Sequence, residues 1–175
     1  MSELAVVENA VEKKASSADM RAKVVALEQK MIEGGDEGTF LLYELPVKHH
    51  FSQGVYGREM VIPKGTIVTG KIHKYTQLNI LLCGELSVLT EDGVKRIKPP
   101  FVVVSPPGTK RIAFAHEDSR WLTIHGTEET DVDKIEEKFI AQTEQEYLAF
   151  VEQTKQLQEQ QEETLCLGQQ SPAQR

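Results

Sequence analysis

Between Phe40 and His125 the chain is a succession of short β-rich runs, split at close intervals by turn residues. The runs read as 40–43, 55–62, 67–73, 79–82, 85–90, 94–98, 101–105, 110–116 and 120–125. Most of the separators are built on glycine or proline: Pro-Lys-Gly at 63–65, Cys-Gly at 83–84, Glu-Asp-Gly at 91–93, Pro-Pro at 99–100 and Pro-Pro-Gly at 106–108. Many short strands joined by such turns bury their apolar faces only as a sandwich or a barrel. Glu91-Asp92-Gly93 predicts a tight hairpin. The reading is a single β-barrel over 39–127.

The flanks have a different texture. Residues 1–38 read as a helical arm: 1–33 carry no Gly or Pro, and Met20, Val24, Leu27 and Met31 recur at helical spacing before Gly34-Gly35, Asp36 and Gly38 end the helix. Residues 128–167 read as an acidic C-terminal helix. It starts at Thr130 or Asp131, where carboxylates suit the positive end of the helix dipole, and Ile135, Phe139, Tyr147 and Val151 offer an apolar face. Residues 168–175, GQQSPAQR, read as a disordered tail.

A chain of 175 residues has room for one such domain with these appendages. The net charge of -7 argues against a nucleic-acid or anionic-membrane partner, and the longest apolar run, Tyr147–Val151, is far too short to span a bilayer. The N-terminal residues lack the basic stretch and apolar core of a secretory signal, and Cys83 and Cys166 stand in unlike contexts, so a cytoplasmic protein without disulfides is expected. Cys83, in an apolar run, reads as a small buried hydrophobe.

One spacing is specific. Gly65 is followed after five residues by Lys71, after one more by His73, after three by Gln77 and after six by Gly84. This resembles the first motif of the cupin superfamily in every interval, with Lys71 and Gln77 where that family has a His and a Glu. Pro106-Pro107-Gly108 resembles the second motif, with Arg111 at its His and Ala115 at its Asn. The resemblance covers about half the chain and implies a cupin-type double-stranded β-helix barrel. The family's metal is held by three imidazoles and a carboxylate, of which His73 alone remains. A protonated Lys71 and an always-charged Arg111 cannot ligate, so no metal and no other cofactor is expected, and the pocket field turns positive. Lys71 and His73 fall on the same face of one strand, and Lys110 should face outward. The sequence is also similar to small cupin-like proteins of tailed bacteriophages, in His49-His50-Phe51, Gly54-Val55-Tyr56, Arg58-Glu59, Gly70–Lys74, Leu78–Leu81, Ser105–Arg111, Trp121, Thr123-Ile124-His125 and Thr127–Asp131.

These readings predict a non-enzymatic module that binds a small anionic ligand, such as a nucleotide, through Lys71, His73, Gln77, Arg111 and His125, with Arg58 and Tyr75 at the mouth. A structural or virion-assembly role on a barrel scaffold ranks second. A metal enzyme using His73 with Gln77, His125 or His49 ranks third. His73 also reads as a hydrogen-bonded core histidine, and strand alternation alone does not decide whether His125 points inward. Trp121 reads as core and His116 as surface. Two helical arms with apolar stripes, with the resemblance, predict a homo-oligomer, a dimer or trimer. A phage origin would place the protein in the host cytoplasm or the virion.

Overall fold

A computed structural model describes residues 16–36 and 44–168, with side chains over 16–35 and 44–164. The strand expected at 40–43 and the tail 169–175 lie outside the described residues. Helix α1 is Ser17–Asp36, so it runs through Gly34 and Gly35, which were expected to end it. The strands follow as β1 (Val47–Ser52), β2 (Val55–Ile62), β3 (Ile67–Thr69), β4 (Ile72–His73), β5 (Gln77–Cys83), β6 (Leu86–Thr90), β7 (Gly93–Ile97), β8 (Phe101–Ser105), β9 (Ile112–Ala115) and β10 (Ser119–Gly126). Then come α2 (Val132–Phe139), β11 (Ile140–Ala141) and α3 (Glu144–Gly168). The expected single C-terminal helix is therefore two. Ile140 is extended at the α2 C-cap, and β11 stops there to pair with β4.

The strands form two antiparallel sheets, β1-β2-β10-β5-β8 and β3-β9-β6-β7, with β4 and β11 as a separate pair. Chain neighbours β2 and β3 lie in different sheets, as do β5 and β6, which is the double-sheet arrangement of a jelly roll. The fold is mainly β, with helices on its flanks. β1 went unread because its sequence, VKHHFS, shows little apolar alternation: it is an edge strand, exposed over most of its length.

Side chains alternate across each strand, so the register sorts the inner face of the larger sheet into rows. Val47, Met60, Trp121, Leu81 and Phe101 make an apolar row. Next come His49, Arg58, Thr123, Asn79 and Val103. The third row opens with Phe51, Tyr56 and His125, and Gln77 opposite Ser105 continues it. The apolar end continues into the core of Ile62, Leu81, Leu86, Val88 and Ala115, against which Trp121 packs. The barrel interior is thus apolar at one end and polar at the other.

Two motif glycines meet steric demands. Gly84 has φ +87°, and a Cβ there would lie 2.5 Å from the Asp118 carbonyl. Gly108 has φ +76°, and a Cβ would lie 2.5 Å from the Tyr147 hydroxyl. Beside Gly108, buried Arg21 clamps α1 to α3: its guanidinium donates twice to Glu144 at 2.9 Å, donates to Gly108 O at 3.0 Å and lies over the Tyr147 ring. Lys110 does face away from the interior, but it is covered by α1, where it pairs with Glu28. Cys83 corrects the sequence reading: it is exposed. The register shift between Arg120 and Trp121 displaces the end of β5 there, and alternation no longer turns Cys83 inward.

Candidate binding site

At the polar end, β4 brings His73 and β10 brings His125 face to face. Their rings lie 5.4 Å apart between centroids at an interplanar angle of 20°. His73 Nδ1, His125 Nδ1 and Gln77 Oε1 are all buried and have no hydrogen-bond partner among the described residues. Burial pushes His73 down to about 3, helped by the nearby His125, Arg58, Arg111 and Lys71. Burial also takes His125 down to about 4, with Arg58 adding to it. Both imidazoles are therefore neutral at physiological pH, and each Nδ1 is a donor or acceptor according to tautomer.

Three cations surround them. Arg58 shares the inner face of β2 with Tyr56, and it makes no hydrogen bond or ion pair among the described residues. Arg111 donates from Nη1 to Ser105 Oγ at 2.5 Å, and burial lowers its pKa. Ser105 Oγ also accepts from Asn79 Nδ2 at 3.0 Å, and Asn79 Oδ1 accepts from Thr123 Oγ1 at 2.9 Å and Trp121 Nε1 at 3.2 Å. This chain holds Arg111 at the interior edge of the polar rows.

Lys71 stands differently. Its ammonium is half exposed and pairs with Glu136 of α2, whose carboxyl is held below the usual range chiefly by that contact. The motif positions offered no acid, and α2 supplies one. Phe139, one turn further along α2, lies 4.4 Å from the His125 ring between centroids, and Ile135 and Phe139 pack with Tyr56. Helix α2 thus covers the polar mouth. Tyr75 is on the outside of this cover, edge-on to Phe139 and Phe150. His49 reaches the Tyr56 hydroxyl at 2.8 Å from Nδ1, while its neighbour His50 points to the other face and bonds Glu59. His116 is half-buried and bonds Ser87.

The sequence reading missed Glu136, Phe139, Asn79, Ser105 and Thr123. A signal for Asn79 was present: on β5 the inward positions Gln77 and Asn79 are polar and the outward Leu78 and Ile80 are apolar, the reverse of an ordinary half-solvated strand.

The residues present do not fit the metal that the cupin resemblance implies. Arg111 is no ligand, Lys71 is in an ion pair, and no group of three or more His, Cys, Asp or Glu gathers among the described residues.

The fold is a mainly β, two-sheet antiparallel jelly roll with helices on its flanks. Solved structures are similar over about half the chain. One is KdgF from a Halomonas species, 19% identical, covering 49% of this chain and 81% of its own, with a TM-score of 0.41. Another is the cupin domain of an XRE-family transcriptional regulator from Enterobacter cloacae, 10% identical, covering 50% and 100%, with a TM-score of 0.41. A third is a cupin-superfamily protein from Desulfitobacterium hafniense, 17% identical, covering 52% and 86%, with a TM-score of 0.39. No protein-family model and no curated protein matches the chain. No helix among the described residues is long and apolar enough to cross a membrane.

Proposed function

We propose that the chain is a non-enzymatic binding module that takes a small anion at the polar end of its barrel. The observation that carries this is the set of three buried atoms without a partner among the described residues, His73 Nδ1, His125 Nδ1 and Gln77 Oε1, in the field of Arg58, Arg111 and Lys71. Buried polar atoms without partners cost free energy. In the Nδ1–H tautomer each imidazole donates to an anionic acceptor held in the positive field, while Gln77 Oε1, an acceptor, takes a donor such as a hydroxyl or amine of the same ligand. Neutral imidazoles donate without adding charge, and Arg58, whose field reaches Glu136, makes no hydrogen bond or ion pair among the described residues. The resemblance to small phage-encoded proteins fits a sequestering role toward a host metabolite such as a nucleotide.

A melting-temperature screen of nucleotides, phosphosugars and carboxylates tests the reading, since a ligand that binds only the folded state raises the melt. At least one anion should stabilise the wild type, and Arg58→Ala with Arg111→Ala should weaken it by roughly 2–5 kcal/mol. An anion shift that survives unchanged in the double variant contradicts the proposal, as does the absence of any shift.

A further inference from the structure

We infer that Glu136 and Phe139 of α2 form a tethered stand-in for the ligand, which is therefore a small molecule carrying an anionic group and a flat ring. This rests on the anion-binding reading and names its ligand class. The two side chains sit one helical turn apart and present the two chemistries side by side. The Glu136 carboxylate takes the ammonium of Lys71 and accepts from Gln142 Nε2 at 3.2 Å. The Phe139 ring lies on His125, with 4.4 Å between centroids and a tilt of 32°. Beside them are His73 and His125, whose Nδ1 atoms have no partner among the described residues.

One part of the attachment of α2, the Glu136–Lys71 pair, is of a kind that can be exchanged. Glu136 and Lys71 are both substantially exposed, and pairs of that kind are weak. The helix has only eight residues. At its end the chain passes straight into β11, which pairs with β4 through Ile140 opposite His73 and Ala141 opposite Ile72. The far side is held independently, by Lys74 on Glu146 and by Tyr147 packed with Ile72 and Ala141. Turning α2 outward frees Lys71 and the His125 face and leaves those contacts. It gives up the buried Tyr56–Ile135–Phe139 cluster and the Lys74 hydrogen bonds to the Glu137 and Phe139 carbonyls, which the bound ligand has to offset. A ligand must then match what α2 provided: an anion for Lys71 in the field of Arg58, and a ring for the exposed face of His125.

Calorimetric titration of the full chain with three probes tests this: adenosine monophosphate carries both features, inorganic phosphate only the anion, and adenosine only the ring. Wild type should bind the monophosphate more tightly than either part. Glu136→Gln, which keeps the contact to Gln142, should bind the monophosphate and phosphate about three- to tenfold more tightly. Phe139→Leu, which keeps an apolar side chain over Tyr56, should tighten the monophosphate and not phosphate. Binding by wild type with no gain in Glu136→Gln overturns the stand-in while leaving the anion reading intact. Equal binding of phosphate and the monophosphate overturns the ring requirement. No binding of any probe by any variant overturns both.

Discussion

The imidazoles of His73 and His125, carried by strands from different sheets, lie nearly parallel with 5.4 Å between their centres. Neither Nδ1 has a partner among the described residues, and both rings are neutral at pH 7. A pair of buried neutral histidines under three cations has consequences that separate a binding pocket from an ordinary core.

The first is a pH dependence. Both folded pKa values, about 3 and about 4, lie below the ordinary histidine value of 6.5. The unfolded chain therefore takes up protons first, and stability falls as pH drops below about 6.5 until the folded values are reached. At pH 5 the loss should be about 1–2 kcal/mol for each histidine. The lowered carboxyls, Glu136 and Glu144 among them, act in a separate window below 4.5. Urea unfolding at pH 7.5 and pH 5 checks this. His125→Gln should flatten the dependence, and an unchanged slope in that variant would remove the histidines as its source.

The motif glycines should differ in their sensitivity. At Gly65 a Cβ meets nothing within 4 Å, so Gly65→Ala bears only the strain of φ +81°, about 1–2 kcal/mol. At Gly84 the same change adds a collision with Asp118 and Ser119 backbone and should cost clearly more. Equal melting temperatures for the two variants would contradict the close approach.

Arg21→Ala should destabilise the chain by roughly 2–4 kcal/mol, because it leaves Glu144 and the Gly108 carbonyl without their shared donor. Chemical denaturation at pH 7.5 measures it. A cost below 1 kcal/mol would mean that α1 is held to the barrel by its other contacts, the Lys110–Glu28 pair among them.

The outer face of the larger sheet carries Val102, Ile80 and Leu122 in one row and Val104, Leu78 and Ile124 in the next, with Val102 and Val104 well exposed. A patch with no charge at its centre is complementary to a second copy of itself. Light scattering at micromolar concentration should give more than the 19.7 kDa chain mass, and Val104→Glu should restore that mass. A monomeric wild type would contradict it.

How much of this was written in the sequence depends on the kind of residue. The bounds of β2 and β8 match the reading because turns fixed by Gly54, Pro63, Pro100 and Pro106 frame them. The pairing of β11 with β4 was not legible, since two residues carry no period and the break after Phe139 depends on a tertiary partner. His73, Gln77 and Arg111 were found by spacing. Glu136 was hidden in an acidic run, where every carboxylate looks solvated until a neighbour across 65 positions is known. Arg58 looked like rim, and only the β2–β10 register puts it beside Thr123 on the inner face.

Side-chain nitrogen NMR of the five histidines during titration with adenosine monophosphate tests the central claim most directly. The account predicts that the His73 and His125 Nδ1 resonances shift together, saturably, while those of His50 and His116 stay in place. Saturable binding that leaves both resonances unmoved would contradict it.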